Sequence, residues 1–243
     1  PADHAAAARS VARTLVWGVR SRYLGADVPN AFLADYVSAH AEATIGVAAI
    51  DPAEPDALER LANVADRAEF SGVTVSPAAQ GFHPADSRAM RIYAFCEEAG
   101  LPVFVEPGTD LAPEAILEFA RPYLFDEIAR AYPQLTIVIA SLGSPWEAET
   151  LTLLAKQPRV FADISGLLGR PWQAYQWLLT AHNAGLSEKL LFGSDFPFSI
   201  ASTAIEQVYR VNEITHGTNL PAVPRETLRG IVERDALGLL GIG

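Results

Sequence analysis

The sequence is poor in sulfur, with one cysteine (Cys96) and one methionine among 243 residues. A single cysteine excludes an intrachain disulfide, so the cysteine content favours a reducing, cytoplasmic location. Cys96 lies inside a run predicted to be helical, Ala89 to Ala99, where a small buried hydrophobic side chain is its ordinary role. The thiol is therefore not a candidate for chemistry.

Basic residues are also scarce, with 18 Lys and Arg against 29 Asp and Glu and a formal net charge of −11. Such a chain lacks the broad basic surface that binds nucleic acid or an anionic membrane. Its longest apolar runs fall short of the roughly 18 to 20 residues that a spanning helix needs, and the first residues do not resemble a secretory leader. We therefore expect a small-molecule partner and neither nucleic acid nor membrane.

The chain does have enough apolar residues, 50% of the total, to bury one large core, and we predict a single domain over residues 1–243. Short β-branched runs alternate with amphipathic segments along its whole length, which is typical of repeated βα units and a parallel sheet. Seven runs are predicted strands: Thr14 to Val19, Ile45 to Ile50, Gly72 to Val75, Val103 to Glu106, Thr136 to Ala140, Val160 to Ile164 and Leu190 to Gly193.

Helices are predicted between and after these strands, several of them with proline or aspartate at the start. The predicted ranges are Ala31 to His40, Pro55 to Phe70, Asp86 to Ala99, Pro113 to Tyr132, Pro145 to Lys156, Trp172 to Ala184, Ala201 to Ile214 and Arg225 to Leu240.

The spacing of roughly 30 residues per unit favours an α/β barrel of the (β/α)8 TIM type. A doubly wound sheet shares the apolar strands, but the chain has no glycine-rich nucleotide loop after an early strand. Seven strands do not close a barrel of eight. Either a first strand precedes Pro1, or the sheet has an open edge that must be covered.

In such barrels the catalytic side chains follow the carboxyl ends of the strands. This rule selects Arg20, Arg22, Tyr23, Asp51, Ser76, Gln80, His83, Glu106, Ser141, Trp146, Ser165, Arg170, Trp172 and Asp195. Asp195 is the strongest candidate because it directly follows a strand and is flanked by Phe196 and Pro197. It could be a metal ligand or a general base, or it could be the N-cap of the next helix.

Four segments resemble the amidohydrolase superfamily, in the branch that includes aminocarboxymuconate-semialdehyde decarboxylase. They are QGFHPADSRAMRIYAFCEEAGLPVFVEPG from Gln80, PQLTIVIASLGSPWEAE from Pro133, VFADISG from Val160 and LLFGSDFPF from Leu190. The resemblance extends over nearly the whole chain from about Arg13. It implies a barrel that hydrolyses or decarboxylates small carboxylic acids.

The resemblance also implies a divalent metal held by a His-x-His pair on the first strand, a histidine after the fifth strand and an aspartate after the eighth, with an assisting histidine after the sixth. Asp195 matches the aspartate. Glu106 and Ser141 stand at the two visible histidine positions, and a His-x-His strand would precede Pro1. This set disfavours zinc, although magnesium or manganese would suit carboxylates if upstream ligands exist. We therefore assign no metal site from this chain, in which Asp195 is the one family ligand retained, and expect a divalent metal (magnesium, manganese or zinc) only if upstream ligands exist.

Without a metal, carboxylates that face each other would repel and raise one pKa, so that Asp195 and Glu106 could act as base and acid. His83, in the loop QGFHP, is a third catalytic candidate, although a lone loop histidine is more often a turn residue.

Substrate binding is predicted for Arg20, Arg22, Ser141, Trp146, Arg170 and Trp172. The arginines could form an anion site or ordinary salt bridges, and the tryptophans could form an apolar wall or cap the barrel core. The favoured function is an amidohydrolase-like hydrolase or decarboxylase for a small carboxylate. The alternative is a non-catalytic barrel that binds a ligand or a partner. An incomplete sheet edge and exposed aromatic residues favour a homodimer.

Overall fold

The computed structural model describes residues 2–107 and 112–242, and its main element is a seven-stranded parallel sheet. The strands are β1 (Thr14–Trp17), β4 (Thr44–Ala49), β5 (Phe70–Val75), β6 (Val103–Val105), β7 (Ile137–Ile139), β8 (Val160–Asp163) and β9 (Leu190–Leu191), and a separate hairpin pairs β2 (Arg20–Ser21) with β3 (Ala26–Asp27). The order along the sheet is β1-β4-β5-β6-β7-β8-β9, so that each βα unit adds its strand beside the previous one. All seven predicted strands are confirmed.

Helices surround the sheet and connect successive strands. They are α1 (Ala2–Ala7), α2 (Asn30–Ala39), α3 (Ala57–Ala65), α4 (Pro77–Gln80), α5 (Ser87–Ala99), α6 (Phe125–Ala131), α7 (Glu147–Lys156), α8 (Pro171–Asn183), α9 (Ala201–Arg210), α10 (Arg225–Glu233) and α11 (Ala236–Leu240). No helix in the described part of the chain is long and apolar enough to cross a membrane.

Four predicted helices were wrong in extent. The range Pro113 to Tyr132 contains two 3-10 turns before α6, because Pro122 holds the preceding residue in an extended conformation. The range Pro55 to Phe70 ends at Ala65, and Phe70 is instead the first residue of β5. The predicted C-terminal helix divides into α10 and α11 at an extended residue, Arg234. The helix predicted over Ala201 to Ile214 ends at Arg210 and continues as a 3-10 turn, Val211–Thr215.

The strands alternate between two apolar layers, as expected when both faces of a sheet are covered. Residues such as Val105, Ile139 and Ala162 belong to the large cluster that includes the surrounding helices. Residues between them, Phe104, Val138 and Phe161, belong to an inner cluster with Val47 and Leu191, together with Leu240 and Ile242 near the end of the chain. The C-terminal segment therefore fills part of the interior, while the carboxyl ends of the strands carry polar residues.

The sheet ends at β1 and β9, which are not paired with each other. The strand expected before Pro1 would belong to chain outside the described residues.

Candidate active site

Glu106 and Asp163 occupy one level at the carboxyl end of the sheet. Val105 pairs with Ile139, and Ile139 pairs with Ala162, so the next residues on β6 and β8 share a row. With one strand between them, their Cα atoms are separated by about 10 Å. Because Val105 and Ala162 pack toward the helices, the two carboxyl groups that follow them face the interior.

Trp17, at the end of β1, holds Glu106 from the other side of the interior. Its indole Nε1–H donates a hydrogen bond to Glu106 Oε1 at 2.9 Å, and its ring stacks on Phe104 at 5.7 Å between centroids. Burial, followed by the negative charges of Asp163 and Asp195, raises the pKa of Glu106 to about 7, against the opposing effect of the Trp17 hydrogen bond. Glu106 can therefore carry a proton near neutral pH.

Asp163 is a candidate site residue that the sequence interpretation missed. It is buried, and its Oδ1 accepts hydrogen bonds from the backbone N–H of Ser165 at 2.9 Å, from Ser165 Oγ at 2.5 Å and from the backbone N–H of Ser141 at 3.1 Å. Burial raises its pKa, and the charge of Asp195 acts in the same direction. The available signal was an acid at an inward position of an apolar strand, two residues after Phe161.

Ser141, predicted to bind substrate, lies beside this aspartate in an unusual backbone conformation. Its φ is 51°, in the left-handed region that non-glycine residues seldom adopt. Its Oγ lies 3.3 Å from Ser165 Oγ. Gly193 permits this close packing, because a Cβ atom there would lie 2.9 Å from Ser165 Cβ and 3.4 Å from Asp163 Oδ1.

Asp195 is half-buried and also has a left-handed φ, of 62°. Its backbone carbonyl accepts hydrogen bonds from the N–H groups of Phe198 and Ser199, which closes a tight turn after β9. The alternative of an N-cap role is wrong, since α9 begins at Ala201 with Ile200 as its N-cap. The effect of its charge on both Glu106 and Asp163 indicates a cluster of three acids at the mouth.

The three predicted arginines have different surroundings. Arg20 forms ion pairs with Glu54 at 2.7 Å and Asp27 at 2.9 Å. Of the two roles considered for the arginines, an anion site or a salt bridge, Arg20 therefore has the second. The side chain of Arg22 is exposed, and its backbone N–H donates to Asp51. Arg170 is exposed at the rim, where its Nη2 donates to Ser144 Oγ at 2.8 Å and more weakly to the Gly166 carbonyl at 3.3 Å. Arg170 is thus the best placed to meet an anion.

His83 has the geometry of a turn residue. Its Nδ1 accepts a hydrogen bond from the backbone N–H of Ala85 at 3.1 Å, and its ring meets Phe119 edge to face at 5.7 Å. Trp146 lies against the Arg121 guanidinium, at 5.2 Å from the ring centroid. Trp172 is half-exposed at the start of α8 and contacts Tyr175. Among the described residues, none of the hydrogen bonds or ring contacts of these three side chains involves Glu106 or Asp163, and their predicted roles stay predictions.

The donor set does not fit a divalent metal. Within residues 2–107 and 112–242, no group of three His, Cys, Asp or Glu side chains is arranged to hold an ion. Oxygen atoms of Glu106 and Asp163 already accept hydrogen bonds from Trp17 and from the two serines.

The raised pKa of Glu106 predicts a pH-dependent stability. A group whose pKa rises on folding stabilises the folded state at low pH, and that contribution is lost as pH increases toward the folded pKa of about 7. Glu106→Gln keeps an acceptor for Trp17 but cannot ionise. Between about pH 4.5 and 8 we expect the variant to gain roughly 3 kcal/mol of unfolding free energy relative to the wild type, measured by urea denaturation. A constant difference across this range would contradict the raised pKa.

Comparisons with known proteins agree with this architecture. The family model described as amidohydrolase matches residues 3–242. An uncharacterised TIM-barrel protein from Bordetella bronchiseptica matches with a TM-score of 0.78 and 24% identity, over 99% of this chain and 81% of that one. The 5-carboxyvanillate decarboxylase of Sphingomonas paucimobilis matches with a TM-score of 0.69 and 13% identity, over 100% of this chain and 82% of that one.

A probable 2-pyrone-4,6-dicarboxylic acid hydrolase from Acinetobacter baumannii, with citric acid bound, gives a TM-score of 0.65 and 15% identity, over 96% of this chain and 85% of that one. No curated protein matches the chain. At these identities the structural neighbours establish the fold, and the predicted (β/α)8 TIM-type architecture is confirmed.

Proposed function

This chain belongs to the amidohydrolase family, and from that premise we propose that it is a hydrolase or decarboxylase of a small organic carboxylic acid. The observation that supports this most strongly is the environment of Glu106, which accepts a hydrogen bond from Trp17. Burial and the charges of Asp163 and Asp195 raise the pKa of Glu106 to about 7. A carboxyl group with such a pKa can donate a proton near neutral pH and be recharged from solvent.

In a hydrolysis, the Asp195 carboxylate would take a proton from water as the water oxygen attacks the substrate carbonyl carbon. Glu106 would give its proton to the leaving nitrogen or oxygen as the bond to that carbonyl breaks. In a decarboxylation, Glu106 would protonate the carbon that loses carbon dioxide, and the electron pair of the broken C–C bond would form the new C–H bond. Both reactions use one protonated and one ionised carboxyl group.

The substrate carboxylate would be bound at the rim. Arg170 is exposed there and is oriented by Ser144 on the neighbouring loop, and a guanidinium is well suited to a carboxylate. Trp172, half-exposed two residues later, offers an apolar surface for the remainder of a small acid. Arg20 is already paired with two acids, so it would stabilise the β2–β3 hairpin rather than bind the ligand.

A second candidate, a non-catalytic barrel that binds a ligand or a partner, is favoured by the poor fit to a metal. The two functions differ in turnover. Incubation of the protein with a panel of small carboxylic acids, amides and esters, followed by detection of carbon dioxide or the hydrolysis product, separates them. Turnover supports the enzyme, and saturable binding without turnover supports the second candidate.

Arg170→Ala is expected to weaken binding of the panel acids about tenfold, because a charge-assisted hydrogen bond at the rim is lost. Isothermal titration calorimetry measures this, with Arg91→Ala on α5 as the matched control. Binding that is insensitive to Arg170→Ala, or absent from the wild type, would contradict a carboxylate site at this rim.

A further inference from the structure

The hydrogen bonds around Asp163 fix the direction in which the neighbouring hydroxyl groups point. Its Oδ1 accepts two backbone N–H groups, from Ser141 and Ser165. An ionised carboxylate oxygen can only accept hydrogen bonds. The Ser165 hydroxyl, 2.5 Å away, is the donor to this oxygen.

The direction of this hydrogen bond also determines which hydroxyl group donates between Ser165 and Ser141. A serine hydroxyl has one proton, and that of Ser165 is engaged by Asp163. In the contact of 3.3 Å between the two serine Oγ atoms, Ser141 is therefore the donor and Ser165 the acceptor. The lone pairs of Ser141 Oγ are then available to accept a hydrogen bond from a ligand.

The surrounding backbone keeps Ser141 in this place. Ser141 and Leu142 both have φ values of 51°, and Gly143 follows at 66°, an arrangement that costs free energy at non-glycine residues. The bond from the Ser141 N–H to Asp163 offsets part of that cost. At Gly166 a Cβ atom would lie 2.7 Å from Ser141 Oγ, so a side chain there would displace the hydroxyl.

We propose that Ser141 is a specificity-determining residue that accepts a hydrogen bond from an O–H or N–H group of the ligand, and that Asp163 is its positioning residue, acting through Ser165. The inference rests on the proposed function for the location of the ligand. The loop of Ser141 also carries Ser144, which orients Arg170. A ligand with its carboxylate at Arg170 would thus present a hydroxyl or amide hydrogen toward Ser141.

The test compares acids that differ in a single hydrogen-bond donor. The 2-, 3- and 4-hydroxybenzoates are paired with the corresponding methoxybenzoates, and lactate with 2-methoxypropanoate. Calorimetric titration gives an affinity ratio for each pair. In the wild type we expect at least one hydroxy acid to bind about tenfold more tightly than its methyl ether, because the ether leaves the Ser141 lone pairs unpaired.

Two variants separate this role from a structural one. Ser141→Gly removes the hydroxyl but relieves the left-handed strain, so its thermal stability should equal or exceed that of the wild type while the ratio falls below about twofold, through weaker binding of the hydroxy acid. Ser165→Ala frees the Ser141 proton to donate to an ether oxygen, so the ratio should fall through tighter binding of the ether. Ser38→Ala on α2 should leave the ratio unchanged.

The outcomes distinguish this inference from the proposed function. A ratio near one in every wild-type pair, or an unchanged ratio in Ser141→Gly, overturns the role of Ser141 even if the acids are turned over. A donor preference that Ser141→Gly abolishes supports it even if no acid reacts, in which case only the enzymatic proposal fails. Absence of binding by any panel acid overturns both.

Discussion

Replacement of Glu106 by glutamine is expected to lower turnover by at least about 100-fold, the lower end of the range for loss of a general acid. Glutamine has nearly the same shape and keeps an acceptor for the Trp17 indole, whose hydrogen bond is 2.9 Å long. The substitution therefore removes the proton while leaving the packing in place. The measurement is kcat for whichever panel acid, amide or ester the wild type turns over.

The pH profile provides a second readout for the same residue. Since the proposed reaction needs protonated Glu106, wild-type kcat should decrease as pH rises through about 7. Glu59→Gln, an exposed change on α3, should reproduce the wild-type profile. If Glu106→Gln retains most of the activity, or if the wild-type profile is flat between pH 6 and 8, Glu106 is not the proton donor.

Replacement of Asp195 by asparagine should also reduce turnover by at least about 100-fold, because an amide cannot accept the proton of water. Asparagine tolerates the left-handed backbone better than most residues, so the turn at φ 62° should survive. The loss is expected for a hydrolysis, in which Asp195 is the proposed base. In a decarboxylation the Asp195 carboxylate acts by holding the proton on Glu106, and the loss would be smaller.

A shift of the pH profile accompanies this substitution in both reactions. The negative charge of Asp195 helps to raise the pKa of Glu106, so Asp195→Asn should move the midpoint of any remaining activity, or of the stability change, to lower pH. Asp66→Asn at the end of α3 is the control and should not move it. Full activity with an unmoved midpoint would remove Asp195 from the site.

The strands were predictable because each is a nearly continuous apolar run, buried between the inner cluster and the helices. Helix ends were less predictable, since local sequence does not show which competing interaction prevails. Phe70 fits a helical pattern, yet the sheet pairs it with Gly46. Pro122 ends a run that otherwise appears amphipathic, and α6 begins only after it.

The position of the candidate site was predictable from the rule that chemistry follows the strand ends, which selected Glu106, Ser141 and Asp195. The network within the site was not. Asp163 lies inside the predicted strand, Val160 to Ile164, and its partner Ser141 is 22 residues away. Arg20 was selected as a possible anion ligand because it follows a strand end. Its pairing with Glu54, 34 residues distant, leaves no local pattern in the sequence.

The proposed chemistry depends on a carboxyl group that keeps its proton near neutral pH at the mouth of the barrel. A ¹³C NMR titration of the protein labelled at glutamate side-chain carboxyl carbons, with Glu106→Gln to assign the resonance, measures this directly. The predicted result is a Glu106 pKa of about 7. A Glu106 pKa below about 5, as a bound divalent metal or an exposed carboxylate would produce, would contradict the proposed acid and base.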